Sequence, residues 1–132
     1  MIGIVIVAHG RLAQEYVAAV EHVIGTQQAM RAISIEADCD RSDKQSEIEA
    51  AADAVDTGDG VVVVTDLYGG SPSNLSINAC KLADRRIVYG ANLPLLLKLA
   101  KSRDLPVAEA VRNALDAGRK YIDSHIVSED TR

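Results

Sequence analysis

The chain has 132 residues, the size of one domain, and its 48% hydrophobic content is too high for a disordered chain. With no Trp, no Phe and four Tyr, the core must be aliphatic, and a platform for stacking single-stranded bases is disfavoured. Fourteen basic residues against nineteen acidic ones leave a net charge of -5, so no basic footprint for nucleic acid is present. Cys39 and Cys80 lie far apart in no Cys-x-x-Cys pattern, which reads as free thiols in a reducing, cytoplasmic compartment. The apolar start, residues 1–8, has no basic leader and is too short to cross a bilayer.

In chain order, residues 2–8 form a largely β-branched run, the pattern of a strand covered on both faces of a parallel sheet. Residues 12–24 predict a helix with Leu12, Tyr16, Val20, Val23 and Ile24 as its inner stripe. A weaker strand is expected over 31–36. Residues 42–55 predict a helix opened by a Ser42-x-x-Gln45 capping box, with Ile48, Ala51, Ala52 and Val55 inward. The second strong strand is 60–66. A helix is expected over 71–83, with Ser71 as N-cap, Pro72 in its first turn, and Leu75, Ala79 and Leu82 on one face. A strand over 86–91 and a short apolar helix over 93–101 follow, the latter read as core or dimer interface. The last helix runs from Pro106 to about Ser124, with Val107, Val111, Leu115 and Ile122 inward. Residues 1–128 form a single domain and 129–132 a tail.

This alternation predicts an α/β, flavodoxin-like doubly wound parallel sheet of order 2-1-3-4. Crossovers are right-handed, so the winding reverses once, between the first and third strands, and ligands bind beyond the strand ends there. The first strand ends at His9-Gly10 and the third at Asp66, followed by Gly69-Gly70-Ser71-Pro72. Neighbouring strands lie about 4.8 Å apart. His9 and Asp66 are therefore expected side by side, the carboxylate fixing one ring N–H and leaving the other nitrogen's lone pair toward the crevice. That arrangement suits a nucleophilic histidine. Gly70 and Ser71 open a helix whose free amides suit an anion. Together these groups suggest phosphoryl transfer to His9. The 90–94 segment is expected to border the same pocket.

The segments 5–10, 63–72 and 90–96 resemble, in order and spacing, the enzyme IIA domain of the mannose (mannose/fructose/sorbose) family of the phosphoenolpyruvate-dependent sugar phosphotransferase system. The resemblance implies that His9 accepts a phosphoryl group from the phosphocarrier HPr and passes it to a IIB component for sugar uptake. It makes Asp66 the orienting carboxylate and places the phosphoryl oxygens against Gly70 and Ser71. It also implies a homodimer that meets the membrane only through transporter components, and a sheet with an extra C-terminal edge strand, here 124–127. No IIB domain follows, so a free-standing IIA is expected. Leu67 stands where the best-known members have a hydroxyl residue, and Tyr68 where they have Trp. The dihydroxyacetone-kinase phosphodonor subunit shares the fold, but the Gly-Gly-Ser-Pro stretch fits the mannose type better. An alternative is a regulatory phosphoprotein whose His9 state controls a partner protein rather than transport.

Other readings find less support. A serine hydrolase would use Ser71, His9 and Asp66, but the chain lacks Gly-x-Ser-x-Gly, and Ser71 as a cap would spend its oxygen on amides. No Gly-x-x-x-x-Gly-Lys or Gly-x-Gly-x-x-Gly marks a nucleotide site. No His, Cys and carboxylate set suits a metal, and no cofactor is implied. His22 and His125 read as structural or solvated, Cys80 as a small buried hydrophobe, and Cys39 as an unreactive loop thiol between acidic neighbours. Arg11, just after His9-Gly10, reads equally as a steering cation or a solvated first-turn residue.

Overall fold

The computed structural model describes residues 1–81 and 84–128. Four parallel strands, β1 (Gly3–His9), β2 (Met30–Ile35), β3 (Val61–Thr65) and β4 (Arg85–Val88), form one sheet in the order β2-β1-β3-β4. This is the order expected from the sequence. The described residues also form the α-helices α1 (Leu12–Ile24), α2 (Arg41–Val55), α3 (Ser71–Ser76), α4 (Leu93–Lys101) and α5 (Val107–Lys120), the last two both after β4, with a 3₁₀ turn over Asn78–Cys80.

The central strands are apolar on both faces because both faces are covered. Ile4, Ile6 and Ala8 of β1 and Val62 and Val64 of β3 pack with α1, α4 and α5. Val5, Val7, Val61 and Val63 point the other way, onto Ile48, Ala51, Ala52 and Val55 of α2 and Leu75 of α3. The alternation of a strand thus becomes two cores, one on each side of the sheet. Buried arginines pin its margins. Arg85 binds Asp53 at 2.8 Å and Asp56 at 3.1 Å. Arg103 donates to the carbonyls of Ile2 and Ala29 at the sheet end opposite His9.

Several expectations need correction. In α1 the buried residues are Ala13 and Val20, whereas Leu12 and Val23 are exposed. Ala13 is fully buried in the core that Ile4, Ile6 and Ala8 form on this side of the sheet. The N-cap of α2 is Asp40, whose side chain accepts the Asp43 N–H at 3.0 Å, so the Ser42-x-x-Gln45 box is not used. A carboxylate one residue before the helix outcompetes a serine already inside it. Regular α3 ends at Ser76, and Leu82 and Ala83 lie outside the described residues, as does the 129–132 tail. Helix α5 stops at Lys120, so Ile122 is exposed, while Val107, Val111 and Leu115 pack on the core as expected, joined by Ala110 and Ala114. Residues 124–127 form no strand in the chain, and Ile126 and Val127 are exposed. The apolar 93–99 stretch does serve the core, as expected, through Leu95, Leu96 and Leu99. Among the described residues no helix is long and apolar enough to cross a membrane.

The winding reverses between β1 and β3. Their register pairs Val7 with Thr65, so the chain leaves the sheet at His9 on one strand and at Asp66 on the next. Gly10 then turns sharply with φ +56, a left-handed conformation that favours glycine, and its N–H is held by the Ile35 carbonyl at 3.0 Å. This turn leaves His9 half-exposed at the carboxyl edge of the sheet.

Candidate phosphoryl-transfer site

The centre of the site is one carboxylate oxygen. Asp66 Oδ2 accepts from the His9 backbone N–H at 3.1 Å and lies 2.9 Å from His9 Nδ1. The carboxylate side chain is only 10% exposed, the imidazole 50%. A shielded carboxylate paired with a half-exposed ring places the proton on Nδ1 and leaves Nε2 to the solvent side. Asp66 Oδ1 is buried and has no hydrogen-bond partner among the described residues. Nearby, the Tyr16 hydroxyl donates to the Ala91 carbonyl at 3.0 Å. Burial raises the Tyr16 pKa, and the Asp66 charge raises it further, so the phenol stays neutral beside the carboxylate.

The segment after β3 wraps close to the ring. Gly69 has φ +82 and donates its N–H to Ser73 Oγ at 3.0 Å. Ser73 in turn donates to the Gly70 carbonyl at 3.0 Å. The N-cap of α3 is therefore Gly70, with Ser71 and Pro72 as the first helical residues, a correction to Ser71 as the cap. The bracing hydroxyl comes from Ser73, and the Ser71 hydroxyl makes no hydrogen bond among the described residues. The objection that Ser71 spends its oxygen on the helix accordingly falls, and the missing elbow alone argues against a hydrolase. A Cβ on Gly70 would lie 3.5 Å from His9 Cε1 and 3.9 Å from Nε2, so the backbone at Gly70 faces the Cε1–Nε2 edge of the ring. Among the described residues, the N–H groups of Gly70 and Ser71 make no hydrogen bond.

His9, Gly10 and Ser71 line a cavity of about 520 Å³ whose far wall is the β2–α2 connection: Ile35, Glu36, Ala37, Cys39 and Arg41. That wall was not singled out from the sequence, apart from Cys39 as an unreactive thiol. The pairing of His9 with Ile35 in the β1–β2 register is what carries it there. The 90–94 segment does not line this cavity. Asn92 instead caps α4, accepting the Leu95 N–H at 3.0 Å and donating to the Gly118 carbonyl at 2.9 Å. Leu67 and Tyr68 are exposed beside the crevice, and Tyr68 meets Tyr89 edge to face with ring centres 4.9 Å apart. Arg11 lies 4.0 Å from Glu15 on the surface. His22 and His125 are exposed, away from this cavity. Burial pushes the Cys80 thiol up to about 11, which fits an unreactive, partly buried side chain. No cluster suited to a metal occurs among the described residues.

The fold and the site together define a class: a doubly wound α/β protein that presents a carboxylate-oriented histidine at its topological switch point. A family model, EIIA-man, the PTS system fructose IIA component, matches residues 3–116. The chain belongs to this family, a component of the sugar phosphotransferase system, and to its mannose type. Solved structures agree. The chain is similar to a phosphotransferase system component EIIA from Streptococcus agalactiae, with 26% identity, 100% of each chain covered and a TM-score of 0.82. It is similar to the mannose/sorbose specific IIA subunit from Enterococcus faecalis, with 25% identity, 97% of each chain covered and a TM-score of 0.85. A PTS IIA protein associated with the fucose utilization operon of Streptococcus pneumoniae matches at 29% identity and a TM-score of 0.76, covering 86% of this chain and 88% of that one.

The geometry predicts one imidazole tautomer. Nitrogen-15 NMR of the wild-type chain should show Nδ1 protonated and Nε2 unprotonated in neutral His9, and Asp66→Ala should give a mixture. A single Nε2–H tautomer in the wild-type protein contradicts the assignment.

Proposed function

We propose that this chain is a phosphocarrier that accepts a phosphoryl group on His9 Nε2 from phospho-HPr and passes it to a IIB component for sugar uptake. One observation carries the reading: Asp66 holds His9 Nδ1 at 2.9 Å, leaving Nε2 as the nucleophile at an open crevice. The family supplies the chemical context, a phosphotransferase-system component.

In this reading the Nε2 lone pair attacks phosphorus as the bond from phosphorus to the donor nitrogen breaks. The proton on Nδ1 stays where it is, so the phosphorylated ring carries positive charge. The Asp66 carboxylate opposes that charge at short range in a shielded setting, where the interaction is stronger than in water. The phosphoryl oxygens rest on the Ser71 hydroxyl and the free amides of Gly70 and Ser71, with the N-terminal turn of α3 adding its dipole. Neutral donors hold the group without sinking it into a well too deep to leave. The reverse step to the acceptor uses the same atoms. Such a relay works in the cytoplasm as a homodimer, and it reaches the membrane only through transporter components.

Incubation with phosphoenolpyruvate, enzyme I and HPr should place one acid-labile, base-stable phosphate on the chain, with none on His9→Ala. Undiminished labelling of His9→Ala, or a stable phosphoserine at Ser71, defeats the reading. For the homodimer, light scattering at micromolar concentration should give twice the 14.1 kDa chain mass. A mass of one chain removes the dimer while leaving the relay intact.

A further inference from the structure

The relay as derived uses one side of the crevice, and the opposite wall holds a cation. Arg41, the first residue of α2, lines the cavity shared by His9 and Ser71. Among the lining residues it is the one permanent positive charge, and Glu36 is the one carboxylate. Arg41 is exposed and takes part in none of the ion pairs or side-chain hydrogen bonds of the described residues. Its neighbour Asp40 is already engaged in capping α2. The cavity, about 520 Å³, is also larger than the resting phosphoryl group needs. Such a group has the bulk of roughly four waters, about 120 Å³. Space remains between the ring and the far wall for a group in motion.

We propose that Arg41 is the cation of the transfer step: its guanidinium crosses the crevice to the equatorial oxygens of the phosphoryl group moving to or from His9 Nε2. The proposal rests on the reading of His9 as the phosphoryl acceptor. During transfer, negative charge spreads over three equatorial oxygens. A planar guanidinium fork matches two of them at once, which an ammonium does not. The donors on the His9 side are neutral, so one unpaired arginine supplies the missing charge. Its exposed position keeps the resting attraction weak, because water and salt screen it. The site can then stabilise the moving group more than the bound one, which is the condition for speeding a step.

The test uses potassium phosphoramidate, which needs no partner protein. Its protonated nitrogen leaves as ammonia as the reagent's P–N bond breaks, and Nε2 forms the new bond while Nδ1 keeps its proton. Phosphorylation of the full chain is followed by phosphorus-31 NMR in wild type, Arg41→Ala and Arg41→Lys, with circular dichroism as the fold check and Arg41→Gln as a second truncation. Loss of the guanidinium should slow labelling about tenfold or more, the scale of one charge-assisted contact made in the transition state. Arg41→Lys should fall between. Wild-type rates in Arg41→Ala or in Arg41→Gln overturn the proposal. A loss seen only with phospho-HPr as donor also overturns it, since Arg41 would then be a docking contact. If phosphoramidate labels the wild-type chain but not at His9, the reading of His9 itself fails, and the proposal with it.

Discussion

The hydrogen bond between His9 Nδ1 and Asp66 Oδ2 is the constraint on which the rest depends. It forms at 2.9 Å only because β1 and β3, separated by more than fifty residues of chain, are neighbours in the sheet. That adjacency requires the chain to lay β2 on one side of β1 and cross back with α2 before placing β3 on the other. The doubly apolar runs in β1 and β3 make this stable, because each strand fills one core with its even residues and the other with its odd ones. The site is thus a by-product of the winding reversal. No loop needs to search for it.

The same oxygen of Asp66 also receives the His9 backbone N–H at 3.1 Å. One acceptor therefore fixes both where the residue sits and how its ring is turned. The carboxylate is only 10% exposed, so little water screens its charge toward the ring. Tyr16 adds a neutral polar wall, its proton committed to the Ala91 carbonyl. Around this rigid half, the Gly70 backbone and the Ser71 hydroxyl leave the solvent side of the ring open, and the β2–α2 connection closes the far side of the crevice.

Much of this was legible in the sequence. The continuous apolar runs ending in His9 and Asp66 announced both the sheet order and the pair at its switch point. Ile48, Ala51, Ala52 and Val55 were readable as the inner face of α2 because their spacing is helical and their neighbours are charged. What was not legible depended on competition between similar local choices. Ser71 and Ser73 both suit the start of α3, and only the turn at Gly69 decides that Ser73 braces it. Asp40 and Ser42 both suit the start of α2, and the carboxylate wins. Arg41 carried no motif at all. Its place opposite His9 follows from the β1–β2 register, which pairs His9 with Ile35. The apolar residues beyond α5, such as Ile126, do not join the core of the chain, so their pattern alone misplaces them.

The most direct test of the account is which ring nitrogen takes the phosphoryl group. The chain, labelled with nitrogen-15 in histidine and phosphorylated by its donor system, should show phosphorus coupled to His9 Nε2 with Nδ1 still protonated. Phosphorus on Nδ1 would contradict the account, because that nitrogen is the one Asp66 holds at 2.9 Å.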